Sequence, residues 1–102
     1  MTITELPIAV DTKKVTDFCR ERGIKKLSIF GSVLREDFSP SSDIDVLVEF
    51  FPGQAPGLAF FGYADQLADL FGRKVDLITP AFLNSHFRNE VLSDAITLYE
   101  QT

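Results

Sequence analysis

Apolar residues recur along this chain first in a helical period and then in short strand-like runs. Val15, Phe18, Cys19 and Arg22 fall on one side of a helical wheel, with Asp11 placed to cap its start and Gly23 to stop it, so a helix is expected over about residues 12 to 22. Lys25 to Phe30 follows as a β-prone run that stops at Gly31. Ser32 to Glu36 suits a short helical turn, and Asp37-Phe38-Ser39-Pro40-Ser41-Ser42 is a dense set of turn formers. The chain then enters Ile44 to Phe51, an almost continuous β-prone stretch that reads as a central strand covered on both sides.

Pro52 to Gly57 is loop chemistry, and Leu58 to Phe71 is a helix closed by Gly72. Lys74 to Ile78 is the third strand, Thr79-Pro80 signals a helix start, and Phe82 to Asp94 continues helically. Ile96-Thr97-Leu98-Tyr99 alternates like a short strand, with a continued helix as the competing reading. Helices and strands alternate throughout, which predicts an α/β (α+β) fold with a small mixed β-sheet flanked by helices.

The 102 residues make one domain with one core, leaving no room for a separate substrate-binding module. No stretch approaches the ~20 continuous apolar residues of a membrane helix, and Met1 to Pro7 lacks the basic-then-apolar order of a secretory signal. A cytoplasmic protein with no membrane partner is the expectation. Cys19 is the only cysteine and His86 the only histidine, so neither an intrachain disulfide nor a cysteine- or histidine-rich metal site can form. Cys19 reads as a small buried hydrophobe, His86 as a structural or solvated helix residue, and any metal as a hard cation held by carboxylates. A net charge of -5, with basic pairs scattered at Lys13-Lys14, Lys25-Lys26 and Arg73-Lys74, argues against direct nucleic-acid binding.

The chemistry concentrates at the ends of the strands. Gly31 can take turn dihedrals without steric cost and lets a phosphate approach the backbone, while Ser32 offers its hydroxyl and N–H. Arg35, one turn on, carries a forked donor set suited to phosphate. After ten intervening residues Ser32 is followed by Asp43 and then Asp45, which share one face of a strand ~6 to 7 Å apart, opposite the apolar Ile44, Val46 and Val48. Asp76 sits inside the apolar run Lys74 to Ile78, where an acid is costly unless paired or metal-bound. If the two strands are neighbours, three acids converge. Taken singly, Ser42-Asp43 is turn chemistry, Gly31-Ser32 is weaker still, and Asp76 is a strand-end acid beside Arg73 or Lys74. Together, in this order, they suit phosphoryl or nucleotidyl transfer on one or two magnesium ions.

Gly31-Ser32-x10-Asp43-x-Asp45, with Arg35 and Asp37 between and Asp76 in the next strand, closely resembles the nucleotidyltransferase superfamily that includes DNA polymerase beta. More narrowly, from about Val15 to Tyr99 the chain is similar to the minimal nucleotidyltransferases (MNT) encoded beside HEPN-domain proteins in prokaryotes. The resemblance implies a nucleotidyltransferase fold in which Asp43 and Asp45 hold Mg2+, and Asp76 is a third ligand that also helps deprotonate the attacking hydroxyl. It implies that Gly31 and Ser32, with Arg35 and Ser42 assigned to the same nucleotide site, hold ATP. It further implies an antitoxin that transfers AMP to a tyrosine of a HEPN ribonuclease toxin, and leaves room for a hetero-oligomer with that toxin. Two other functions stay open: an antitoxin that neutralises by binding alone, and nucleotidyl transfer to a small molecule.

The helix Leu58 to Phe71 carries two apolar stripes, one of Phe60, Tyr63, Leu67 and Leu70 and another of Phe61, Ala64, Ala68 and Phe71. A helix on a sheet needs one stripe, so the excess points either to a protein interface or to a neighbouring helix.

Overall fold

The computed structural model describes residues 10–34, 43–83 and 85–101. Three helices, α1 (Thr12–Glu21), α2 (Ala59–Phe71) and α3 (Ser85–Asp94), accompany four strands, β1 (Ile24–Phe30), β2 (Ile44–Phe50), β3 (Val75–Ile78) and β4 (Ile96–Glu100). The sheet runs β3-β2-β1-β4. β1 is antiparallel to both β2 and β4, whereas β2 and β3 are parallel, joined by the α2 crossover. The sheet is therefore mixed, and the tail from Ile96 is a strand rather than a continued helix.

α1 begins where Asp11 accepts the Lys14 N–H at 3.1 Å, satisfying one orphan donor of the first turn. It buries Val15, Phe18 and Cys19, the stripe that its period predicts, but it ends one residue early, with Arg22 as the cap. The Arg22 guanidinium lies 3.9 Å from the Phe18 ring centroid, and its Nε donates to Gln66 Oε1 at 3.0 Å. That side chain therefore ties α1 to α2 by stacking and hydrogen bonding together. α2 ends at Gly72, whose φ of 69° supplies the left-handed turn that closes a helix.

The main core lies on one face of the sheet, with Leu47 and Ser28 buried on the other. Leu27 and Ile29 of β1, Ile44, Val46 and Val48 of β2, and Val75 and Leu77 of β3 meet Val15, Phe18 and Cys19 of α1 and Leu67 and Phe71 of α2. Much of the second α2 stripe joins this core: Phe71 is buried, and Ala64 and Ala68 are half-buried against it. The apolar excess reduces to Leu58 and Phe61, exposed by 86% and 71%.

One element departs from expectation. The helix predicted from Phe82 to Asp94 is split into a 3-10 turn, Pro80–Phe82, and the separate α3. Thr79 enters extended and Pro80 sets the first turn, closed by the Leu83 N–H on the Pro80 carbonyl at 3.1 Å. Leu83 then returns to extended dihedrals, φ -74° and ψ 136°, and a helix cannot pass through them. Among the described residues no helix is long and apolar enough to cross a membrane.

Candidate active site

The second face of the sheet carries the acids. Side chains alternate along β2, so Asp45 points away from the face that buries Ile44 and Val46. Phe30, Asp45 and Asp76 are register partners across three adjacent strands, which gives the two carboxylates one common face. Asp43 stands two residues before Asp45, and the Ile44 N–H bonds the Lys74 carbonyl at 3.0 Å, which keeps the β2 and β3 ends together.

The Asp43 carboxylate lies 3.9 Å from Lys74 Nζ, and both groups are largely in solvent. With the side chains so arranged, no three acidic, histidine or cysteine groups among the described residues are gathered closely enough to hold an ion. The backbone thus brings Asp45 and Asp76 together on one face, with Asp43 two residues before Asp45 and its side chain turned to its lysine neighbour.

Gly31 closes the opposite side. β1 runs out at Phe30 and turns into a 3-10 segment, Gly31–Leu34, with Gly31 at φ 77°. A Cβ added at Gly31 would overlap the Asp45 carboxylate and stand 3.1 Å from its Cγ. Any other residue would meet both a left-handed backbone and an occupied space, so glycine is what lets the turn sit against the acid. The Ser32 backbone lies in the same turn. Arg35, Asp37 and Ser42 lie outside the described residues.

An open cleft of about 940 Å³ begins at Gly31 and Asp45. Phe30, Leu34 and Ile96 also line it, together with Phe87, Glu90, Val91 and Asp94 of α3. Sequence reasoning treated α3 only as a helix and did not connect it with the acids. The signal was present as Phe87, Glu90, Val91 and Asp94 at helical spacing, but periodicity alone cannot say which object an amphipathic face meets.

Cys19 takes no part in this site. It is buried in the core, and burial pushes its thiol up to about 12, with Arg22 opposing the shift. His86 is exposed on α3.

Comparison with known proteins agrees with this geometry. The sequence profile of the polymerase beta nucleotidyltransferase family matches residues 13–102. A proposed protein adenylyltransferase of Methanocaldococcus jannaschii is 41% identical over 75 residues, covering 72% of this chain and 74% of its own. The protein adenylyltransferase MntA of Thermococcus cleftensis is 34% identical over 79 residues, 76% of this chain and 78% of its own. Among solved structures, a proposed minimal nucleotidyltransferase is 32% identical and superposes with a TM-score of 0.69, over 83% of this chain and 86% of its own.

More distant structures share the fold. A toxin-antitoxin complex with AMP-PNP matches at a TM-score of 0.71 and 20% identity, over 91% of this chain and 76% of that one. A tri-AMPylated Shewanella oneidensis HEPN toxin in complex with its MNT antitoxin matches at 0.62 and 20%, over 88% and 70%. With its sheet, its acid-bearing face and a profile match over nearly the whole chain, this protein belongs to the polymerase beta nucleotidyltransferase family of enzymes.

Proposed function

We propose that this chain is a magnesium-dependent protein adenylyltransferase that moves AMP from ATP to a hydroxyl, a tyrosine in the leading case, of a HEPN ribonuclease toxin, and so acts as its antitoxin. The observation that carries the reading is the row Asp45–Asp76 on adjacent strands, with Asp43 one step along and Gly31 packed against Asp45. The relatives named as protein adenylyltransferases, and the distant neighbours bound to AMP-PNP or to an AMPylated HEPN toxin, support the same activity and partner.

The residues fit a hard divalent cation, because Asp43, Asp45 and Asp76 all offer carboxylate oxygens. Asp43, Asp45 and Asp76 would hold it, and Asp43 would first have to leave Lys74. That exchange is cheap: an exposed ion pair is worth roughly 0–1 kcal/mol. When bound, magnesium would neutralise the triphosphate and lower the barrier to loss of pyrophosphate. Gly31 leaves the backbone of its turn open to the phosphates, with Ser32 beside it and Arg35 and Ser42 assigned to the same task. Asp76, exposed on the same face as Asp45, would also accept the proton of the attacking hydroxyl. The P–O bond to pyrophosphate breaks as the bond from the hydroxyl oxygen to the α-phosphorus forms, and the proton passes to the carboxylate. Exposed Leu58 and Phe61 offer an apolar surface on which a protein partner could be held.

The test is to incubate the protein with the toxin encoded beside it, labelled ATP and magnesium, and to follow the toxin by mass. Increments of one AMP on tyrosine, lost with a chelator, are expected. An unmodified toxin neutralised in stoichiometric proportion, equally by the Asp43→Ala, Asp45→Ala double variant, would contradict the reading in favour of neutralisation by binding.

A further inference from the structure

We propose that the cleft beside Asp45 seats the nucleoside part of the triphosphate, with Phe87 of α3 as the ring on which the base stacks. This inference rests on the reading of the chain as an ATP-using transferase, and adds where the base lies and which residue holds it.

α3 is unusual among the helices here in burying nothing. Phe87 is 58% exposed, so the apolar side of this helix is not spent on the core. A ten-residue helix is marginal by itself, and its apolar face needs something to meet. Phe87, Glu90, Val91 and Asp94 follow the spacing of one helical face, and all four line the same cleft as Gly31 and Asp45.

The cleft holds the Gly31 turn and Asp45, which suit a metal-bound phosphate chain. The same cleft is lined by the exposed ring of Phe87 and the aliphatic Val91, with the carboxylates of Glu90 and Asp94 on the same helix. Glu90 and Asp94 repel phosphates but accept hydrogen bonds from ribose hydroxyls or base amino groups. A nucleoside triphosphate has the matching parts of a flat base, a hydroxyl-bearing sugar and then charge. With the phosphates at the Gly31 turn, Phe87 is the exposed ring of α3 on which the base stacks. About 940 Å³ lies within the range of sites that take such ligands.

Calorimetry with magnesium ATP and with magnesium tripolyphosphate, on the wild-type chain, Phe87→Ala and Phe87→Trp, tests this. Base stacking on an aromatic ring is worth about tenfold to a hundredfold in affinity. Phe87→Ala should therefore weaken ATP by that factor and leave tripolyphosphate unchanged. The chain has no tryptophan, so Phe87→Trp introduces a single indole that can be excited apart from the two tyrosines. It should keep ATP affinity and be quenched saturably by ATP but not by tripolyphosphate. Unchanged ATP binding by Phe87→Ala, or ATP bound to Phe87→Trp with no change in emission, overturns the inference. A wild-type chain that binds ATP through Phe87 yet moves no AMP to the toxin overturns the transferase reading instead, and one that binds no ATP overturns both.

Discussion

The two faces of the sheet are built from the same strands, residue by residue in alternation, and do opposite work. Along β2, Ile44, Val46 and Val48 are buried beneath α1 and α2, whereas Asp45 between them is half-exposed in the cleft. The helices divide in the same way: α2 sinks Leu67 and Phe71 into the core, and α3 sinks nothing. At the Asp45 end of β2, stability and chemistry are thus separated by a single-residue step, although Leu47 farther along is buried on the face of Asp45, so substitutions of the core residues around Asp45 should leave the chemistry nearly intact.

The strongest way to break that separation is to hollow the covered face. Leu67→Ala removes a fully buried side chain and should cost about 2–5 kcal/mol of stability by chemical denaturation. The protein that remains folded should still bind nucleotide with unchanged affinity. Gly31→Ala probes the one place where the two properties meet, since the turn and the Asp45 carboxylate share space there. Left-handed strain should lower stability by about 1–3 kcal/mol, and nucleotide binding should fall with it.

A gentler probe of the covered face is pH. The unfolded Cys19 thiol ionises near 9.0 and the folded one near 12, so its folded value is raised. Its contribution is complete below 9.0 and is lost as pH rises toward 12, because only the unfolded chain releases the proton in that window. Cys19→Ala should flatten the alkaline limb of the stability profile, and native Cys19 should resist alkylation until the chain unfolds. The smallest effect belongs to Lys74→Met on the open face. Loss of its exposed contact with Asp43 should change stability by no more than roughly 1 kcal/mol, read from the thermal midpoint.

The covered face was legible in the sequence, because burial enforces a period. Val15, Phe18 and Cys19, and Ile44, Val46 and Val48, declared their sides through spacing alone. The acids were legible for a different reason: carboxylates inside or beside apolar strands conflict with their surroundings, and Asp76 stood out on that ground. The pairing of Asp45 with Asp76 needed the sheet order, which no local pattern carries. The break at Leu83 was hidden as well, since a leucine with extended dihedrals leaves no mark in composition. The place of α3 along the cleft was equally hidden, being fixed by how β4 returns beside β1.

The most direct test of the account replaces Asp45 with Asn, which keeps size and removes charge, and measures thermal stability and AMP transfer to the toxin on the same preparation. The prediction is a midpoint close to that of the wild type, with transfer reduced by about a hundredfold to a thousandfold or more. Transfer at the wild-type rate would contradict the assignment of chemistry to this face, and a collapsed midpoint would show that Asp45 belongs to the fold instead.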